Sequence, residues 1–300
     1  MANMVIRAFL LMLMTAQTVR AQDPIATLKA KVVARVNDLQ RATVGVVFAE
    51  VGGGAAFSIN PDSVFHAAST MKVPVMIEYF RGIDAGRITP DQDLLLGTQF
   101  KSIVDGSPYA LDAGVDSDSS VFARVGQRVP LRWLVERMIV RSSNLATNTL
   151  IEVLDAKRVD ATAKSLGAKA MKVLRGVEDG KAFQQGLNNQ TSAHDLALLL
   201  DAIETGKAAS KESCRAMIDI LARQEFNDEI PAGLPPATRV AHKTGWITGV
   251  THDAAIVYPP GRKPYVLVVL TKGIPDRPVA QKLIADISRL VWDALVAGSR

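Results

Sequence analysis

Residues 66–80 have the sequence HAASTMKVPVMIEYF, in which Ser69 and Lys72 precede a run of apolar residues. This run predicts a helix over 69–85 that passes through the core of the protein. Side chains three residues apart at the start of a helix lie on the same side, so the Ser69 hydroxyl and the Lys72 amine face the same way. The free amide groups and the positive dipole end of the helix would stabilise negative charge at Ser69.

The chemistry expected of this pair is nucleophilic attack by the serine. A buried lysine loses its proton more easily, which suits Lys72 as the base for the Ser69 hydroxyl. A Ser-x-x-Lys pattern arises by chance about once in a chain of this length, and a lysine on the surface of a helix is the ordinary alternative. Here the pattern occurs once, directly before an apolar helix, which favours the catalytic interpretation.

A second fragment, Ser142-Ser143-Asn144, follows a predicted core helix over 130–141. The Ser142 hydroxyl would carry a proton to a leaving nitrogen, and Asn144 would hydrogen-bond a substrate amide or the lysine. Serine and asparagine are also favoured caps at the start of a helix. A second Ser-x-Asn pattern occurs at residues 58–60. Taken alone, the fragment leaves the capping and the catalytic interpretations open.

A third fragment, Lys243-Thr244-Gly245, lies at the end of a predicted strand over 239–243. Lys243 and Thr244 suit a substrate carboxylate, because one supplies charge and the other a hydroxyl donor. Gly245 would let a ligand approach the backbone closely, and the Trp246 amide would join that of the serine in an oxyanion hole. The alternative is a strand end with a turn glycine. The three fragments in one order predict acyl transfer to a serine.

Strand patterns occur near the two ends of the chain, and the middle is mostly helical. A hairpin is predicted over 44–51 and 55–60, around three consecutive glycines. Further strands are predicted at 239–243, 250–258 and 264–271. Helical periodicity precedes the first strand, at 24–41, and follows the last one, from Val279 to Leu295.

The middle of the chain is predicted to be helical, at 69–85, 130–141, 143–154, 157–166, 192–204 and 211–223. The fold class is therefore α+β, with a five-stranded antiparallel sheet, terminal helices and an all-helical lobe. Within a single catalytic domain over 22–300, the α/β lobe would comprise about 22–65 and 235–300, and the helical lobe about 66–234. A cleft between two lobes is a usual place for a small-molecule site.

The stretch 105–120, rich in Asp, Ser and Gly, is predicted to be a long exposed loop.

Residues 1–21 have the features of a secretory signal peptide. Arg7 supplies a positive charge, a short apolar run follows, and small residues precede a cut between Ala21 and Gln22. The run is too short to span a bilayer, and a buried N-terminal helix is the alternative. We expect a periplasmic or secreted protein with no membrane span in its mature form. Removal of Arg7 and Arg20 lowers the formal charge from +5 to +3.

Composition argues against several other classes of function. The basic residues are scattered, so a nucleic-acid partner is not expected. The lone Cys214 has no partner for an internal disulfide. The four histidines are not spaced as metal ligands, so we expect no metal and no cofactor. The mature protein is expected to be a monomer.

The chain resembles the class A serine β-lactamases and the related penicillin-binding peptidases. The resemblance rests on the three fragments, on their order among the predicted elements and on the signal peptide. The resemblance covers about 25–297. It implies an acyl-enzyme path that acts on a small-molecule β-lactam or a peptidoglycan stem peptide. It also implies roles for the quoted residues: Ser69 as nucleophile, Lys72 as base, Ser142 as proton shuttle, and Asn144, Lys243 and Thr244 as substrate-binding residues.

Three features depart from the pattern of class A. Ser143 replaces the aspartate of Ser-Asp-Asn, and an arginine usual in the strand after Lys-Thr-Gly is absent. The family's Glu-x-x-x-Asn is also missing: Glu178 falls near the place of the glutamate that activates the deacylating water, but no asparagine follows it at four. An exposed loop carboxylate is the alternative for Glu178. The interpretations are therefore a β-lactamase, a D-alanyl-D-alanine peptidase, or a receptor that stays acylated.

Overall fold

The computed structural model describes residues 23–39 and 41–297. The main sheet is antiparallel and has five strands in the order β2-β1-β11-β10-β9. Three two-stranded pairs, β3–β8, β4–β7 and β5–β6, lie outside it. The strands are β1 (Thr43–Glu50), β2 (Ala56–Ile59), β3 (Phe65–His66), β4 (Asp93–Leu95), β5 (Gln99–Lys101), β6 (Pro108–Ala110), β7 (Arg128–Pro130), β8 (Gln190–Thr191), β9 (Arg239–Ile247), β10 (Val250–Tyr258) and β11 (Tyr265–Lys272).

The helices cover both faces of the main sheet and fill the middle of the chain. Two 3₁₀ turns, Ala68–Met71 and Pro231–Gly233, accompany them. The α-helices are α1 (Pro24–Asn37), α2 (Lys72–Asp84), α3 (Ser119–Phe122), α4 (Leu131–Val140), α5 (Asn144–Leu154), α6 (Ala156–Ser165), α7 (Gly180–Gln184), α8 (Ala193–Glu204), α9 (Lys211–Leu221) and α10 (Arg277–Ala297).

Strand β11 occupies the middle of the sheet and is buried on both faces. Val266, Val268 and Leu270 belong to the core shared with the helices, whereas Leu267 and Val269 belong to the core on the opposite face. Successive side chains of a strand point to opposite faces, which explains the alternation. The terminal helices α1 and α10 pack together over this second face, and α8 packs against the first.

Helix α2 is the centre of the helical core. It packs against α4, α5, α6 and α9, and most of its residues are buried, from Lys72 at its first position onward. An apolar helix without a polar face needs neighbours on all sides, and the surrounding helices provide them. The 3₁₀ turn that precedes α2 packs on β9, so the start of the helix lies at the junction between sheet and helices.

The predicted α+β fold with its five-stranded antiparallel sheet and terminal helices is confirmed. The predicted end of the third-fragment strand at Lys243 was wrong, because β9 continues to Ile247 and Gly245 pairs with His252. Glycine within a strand permits close approach of another backbone rather than ending the strand.

The predicted exposed loop over 105–120 was also wrong in part. Strand β6 lies within it, and Asp118 is only 2% exposed because it pairs with Arg137. The predicted signal peptide at 1–21 lies outside the described residues. Among the described helices, none combines the length and the apolar character needed to cross a membrane.

Candidate active site

Ser69 lies in the 3₁₀ turn that leads into α2 and is half-buried. The preceding residue, Ala68, has a φ of 45°, in the left-handed region that non-glycine residues rarely occupy. Its amide donates to Nδ1 of His66 at 3.0 Å. Strained backbone of this kind clusters at functional sites, where surrounding structure maintains it. Among the described residues, no side chain or backbone group hydrogen-bonds the Ser69 hydroxyl, which leaves it free to meet a ligand.

Lys72 is buried at the start of α2, one turn after the serine. Its Nζ donates to the backbone oxygen of Ser142 at 2.5 Å and to Oδ1 of Asn144 at 2.9 Å, and lies 3.2 Å from Oγ of Ser142. Burial lowers the pKa of Lys72 to about 7, against the opposing effect of the carboxylates of Asp116 and Glu178. A lysine with such a pKa both accepts and releases a proton near neutral pH.

Ser142 lies between two buried lysines. Its Oγ is 3.0 Å from Nζ of Lys243 and 3.2 Å from Nζ of Lys72. Burial and the neighbouring Lys72 both lower the pKa of Lys243. The Ser142 backbone is in the left-handed region, with a φ of 58°, which turns the side chain toward the lysines before α5 begins. A hydroxyl that both accepts and donates can relay a proton between these two amines.

Ser143 and Asn144 have different tasks at the start of α5. The Oγ of Ser143 accepts from the Ala146 amide at 3.1 Å, so Ser143 caps the helix. The side chain of Asn144 faces the site instead. Its Oδ1 accepts from Lys72 and its Nδ2 donates to Oε1 of Glu178 at 2.6 Å. The capping interpretation therefore holds for Ser143, whereas Ser142 and Asn144 contact the ionisable groups of the site.

Glu178 lies on the segment between α6 and α7, at the wall of the cleft. Its φ of 62° is also left-handed. The residue is exposed, so water reaches it, while partial burial of the carboxyl group raises its pKa and the hydrogen bond from Asn144 acts in the opposite direction. The structure brings Glu178 to the second fragment through Asn144. No asparagine lies four residues later, where Ala182 is buried.

The third fragment lies inside β9, next to the 3₁₀ turn that carries Ser69. A Cβ on Gly245 would be 2.9 Å from the Ser69 amide nitrogen and 3.0 Å from that of Thr70. Only glycine permits this approach without displacing the backbone. The hydroxyl of Thr244 is buried and has no hydrogen-bond partner among the described residues. A buried hydroxyl is normally satisfied, so this unpaired one is exceptional and makes Thr244 a candidate for a functional role.

Trp246, whose amide was predicted to complete an oxyanion hole, follows in the same strand. The guanidinium of Arg277 lies 3.9 Å from the centre of its ring, and Phe226 meets the ring edge. These two contacts fix the indole, and with it the backbone next to Gly245, since both a cation–π contact and an aromatic edge contact are directional.

A cavity of about 380 Å³ opens beside Ser69. Its wall includes residues of the first two fragments, of the end of β9 just after the third fragment, and of the α6–α7 segment. The cavity lining includes Ser69, Asn144, Glu178, His66, Phe183 and Trp246. Its position between the sheet edge and the helical core is that of the predicted cleft.

Sequence reasoning missed Asp116 and His66. Asp116 lies in the stretch predicted to be an exposed loop, and one of its carboxylate oxygens accepts hydrogen bonds at the start of α5. Nothing in the local pattern separates it from the neighbouring Asp112 and Asp118. His66 lies two residues before the 3₁₀ turn that carries Ser69 and lines the cavity, but a single histidine on a two-residue strand carries no periodic signal.

Comparison with known proteins gives a consistent result. A model of the β-lactamase enzyme family matches residues 27–295. The β-lactamase AST-1 of Nocardia asteroides is 29% identical over 261 residues, which are 85% of this chain and 79% of that protein. The structure of a β-lactamase from Sphaerobacter thermophilus has a TM-score of 0.76 at 30% identity, and the match covers 90% of this chain and 97% of that one.

A variant of PBP-A in an acyl-enzyme complex with penicillin G is similar to the same extent. Its TM-score is 0.75 at 29% identity, and the match covers 90% of this chain and 96% of that one. The chain belongs to the β-lactamase enzyme family and has the fold of class A β-lactamases.

Proposed function

We propose that the protein is a serine β-lactamase that opens the β-lactam amide through an acyl-enzyme on Ser69. The observation that carries the proposal is the position of the Ser142 hydroxyl within hydrogen-bond reach of two buried lysines, one of which lies a helical turn from Ser69. This arrangement supplies a base for the nucleophile and a route for its proton.

In the acylation step, Ser69 Oγ attacks the carbonyl carbon while its proton passes to neutral Lys72. The bond from carbon to the ring nitrogen then breaks. Ser142 gives its proton to that nitrogen and takes a replacement from Lys72 Nζ, so both side chains end as they began. The distance of 3.2 Å between Ser142 Oγ and Lys72 Nζ is compatible with such a transfer.

The carbonyl oxygen that becomes negative during attack would be stabilised by the amides of Ser69 and Trp246. The absence of a side chain at Gly245 keeps β9 close to the Ser69 amide. Backbone amides arranged in advance are an efficient way to stabilise such an oxyanion. Lys243 and the unpartnered hydroxyl of Thr244 would bind the substrate carboxylate.

Release of the acyl group would use Glu178 as the base. A water held between Glu178 and Ser69 attacks the ester carbon and gives its proton to the carboxylate. The bond to Ser69 Oγ then breaks and that oxygen is reprotonated from Glu178. Glu178 and Ser69 line the same cavity, and Asn144 fixes the position of the carboxylate.

The first experiment is nitrocefin turnover by the purified mature protein, with intact-mass analysis of the enzyme during the reaction. We expect many turnovers with little trapped adduct. A single stoichiometric adduct that persists would refute the β-lactamase proposal.

A D-alanyl-D-alanine peptidase is the second candidate. Two observations favour it: the similarity to PBP-A and the absence of an asparagine four residues after Glu178. Release of D-alanine from a pentapeptide substrate, measured together with slow release of penicillin, would identify this activity.

We further propose that the protein is exported and acts as a monomer. The sequence of residues 1–21 supports export with a cut before Gln22. Mass analysis of the protein recovered from the periplasm or medium should give Gln22 as the first residue. A mature chain that still contains Arg7 would refute the cut.

A further inference from the structure

Asp116 is not part of the three fragments, yet one of its oxygens holds the turn on which the second fragment lies. Oδ2 accepts from the amides of Asn144 at 2.9 Å and Leu145 at 2.8 Å, and from the Ser143 hydroxyl at 3.2 Å. The two amides belong to the first turn of α5 and have no partner within the helix. A negative charge is also favoured there by the helix dipole.

The segment that carries Asp116 is itself tied to the end of α4. Ser117 Oγ donates to the backbone oxygen of Arg141 at 2.6 Å. Asp118 Oδ2 accepts from Nε of Arg137 at 2.5 Å, and the Asp118 amide donates to the other oxygen of Asp116 at 2.8 Å. Residues 116–118 therefore all contact the junction between α4 and α5. These contacts leave the carboxylate of Asp116 little freedom to move.

The turn needs such support. Ser142 has a left-handed backbone and must present its hydroxyl to two lysines at once. Ser143 replaces the aspartate of the class A Ser-Asp-Asn pattern and carries no charge. Its hydroxyl accepts from the Ala146 amide, which caps α5, and donates to Asp116. The negative charge at this turn therefore comes from a different part of the chain.

We propose that Asp116 is a positioning residue for the reaction, whose carboxylate holds the Ser142–Asn144 turn against Lys72 and sets the charge around that lysine. This proposal rests on the proposed function of Ser69 and Lys72. Asp116 does not line the cavity beside Ser69 and acts through the residues that it holds, Ser143 and Asn144.

The proposal has an electrostatic consequence that a purely structural role would lack. Lys72 faces Asp116, Glu178 on the α6–α7 segment, and Lys243 on β9. The two carboxylates raise its pKa, in opposition to the lowering caused by burial. Loss of the Asp116 charge therefore lowers the pKa of Lys72 further, and the acid limb of the acylation rate moves to lower pH.

The test compares Asp116→Asn with Asp155→Asn in the full mature enzyme. Asp155 also caps a helix, since its Oδ1 accepts from the Lys157 amide at 2.9 Å, but it is exposed at the start of α6. Acylation by a fluorescent penicillin is measured by stopped flow from about pH 5 to about pH 9. For Asp116→Asn we expect a loss of about tenfold in the acylation rate constant and a shift of the acid limb to lower pH. Asp155→Asn should leave both unchanged.

A second measurement does not depend on substrate. The titration of Lys72, followed by NMR of 13C-labelled lysine side chains and assigned with Lys72→Arg, should move to lower pH in Asp116→Asn. Asp116→Glu, which retains the charge on a longer side chain, should keep the titration near that of the wild type while still slowing acylation. If Asp116→Asn fails to fold, Asp116→Glu still tests the positioning role, because acylation at the wild-type rate in that variant would refute it.

The possible failures are distinguishable. Absence of acylation in the wild type would refute the proposed function, whereas the lysine titration would still test Asp116. An unchanged acid limb together with an unchanged lysine titration would refute the role of Asp116, even if the variant were less stable.

Discussion

The side chains of Glu178 and Asn144 are hydrogen-bonded to each other, with Oε1 of Glu178 2.6 Å from Nδ2 of Asn144. Because Oδ1 of the same asparagine accepts from Lys72 at 2.9 Å, one amide group connects the proposed bases of both half-reactions. Acylation and deacylation are separate chemical tasks, and this connection allows them to be separated by mutation.

Glu178→Gln should leave acylation intact and make the acyl-enzyme accumulate. Glutamine can keep the contact with Asn144 but cannot take a proton from water, so we expect deacylation to slow by about 10²–10⁴-fold. The measurement is intact-mass analysis during nitrocefin turnover. The control is Glu212→Gln, an exposed carboxylate on α9. Unchanged steady-state turnover in Glu178→Gln would mean that another group activates the water.

Ser69→Ala should abolish covalent labelling by a fluorescent penicillin, because the Ser69 hydroxyl lines the cavity and its proposed base, Lys72, lies one helical turn away. Ser58→Ala is the matched control, since Ser58 belongs to the other Ser-x-Asn pattern and lies on β2, in the main sheet. Labelling is read after gel separation of the denatured protein. Label that persists in Ser69→Ala would show that the nucleophile is a different residue.

The acylation rate should increase with pH through about pH 7. The pKa of Lys72 is lowered to about 7 by burial, and only its neutral form accepts the Ser69 proton. Below this pKa the lysine is an ammonium and the rate should fall about tenfold per pH unit. Stopped-flow acylation, rather than steady-state turnover, isolates this step from deacylation by Glu178. A rate that stays level from about pH 5 to about pH 9 would exclude Lys72 as the base.

Gly245→Ala should damage both folding and acylation. The added Cβ would lie 2.9 Å from the Ser69 amide nitrogen, so either β9 or the 3₁₀ turn that carries Ser69 must move. We expect a destabilisation of about 1–3 kcal/mol, as for other overpacked sites, measured by urea unfolding. Gly97→Ala is the control, because a Cβ there meets no atom within 4 Å. Equal stability and acylation in Gly245→Ala and the wild type would contradict the close approach.

Much of the fold follows from local patterns in the sequence. Strand segments on either side of a Pro-Pro-Gly turn predicted β10 and β11, and helical spacing predicted α4, α5, α8 and α9 to within a few residues at each end. The helical patterns are strong because a period of 3.6 residues is maintained over a whole element. The Ser69–Lys72 pair is equally local, since a single helical turn joins its members.

Other features could not be predicted, because they depend on segments that are distant in the chain. The carboxylate that supports the second fragment comes from Asp116, more than one helix before Asn144, and three other acidic residues lie between positions 105 and 118. Glu178 is brought to the site by the path of the α6–α7 segment, which has no period to fix its register. The extension of β9 past Gly245 depends on the pairing of Gly245 with His252 on β10. The sequence did not predict it, because glycine is common in turns and suggested that the strand ends there.

The sequence by itself determined the strands of the main sheet, the longer helices and the spacing of Ser69 and Lys72, because these depend on patterns within one element and on residues within one helical turn. Only the tertiary structure decided which hydroxyl meets both lysines, which carboxylates face Lys72 and how close β9 comes to Ser69. Those relationships join segments far apart in the chain, and their distances follow from how sheet and helices pack rather than from any local pattern.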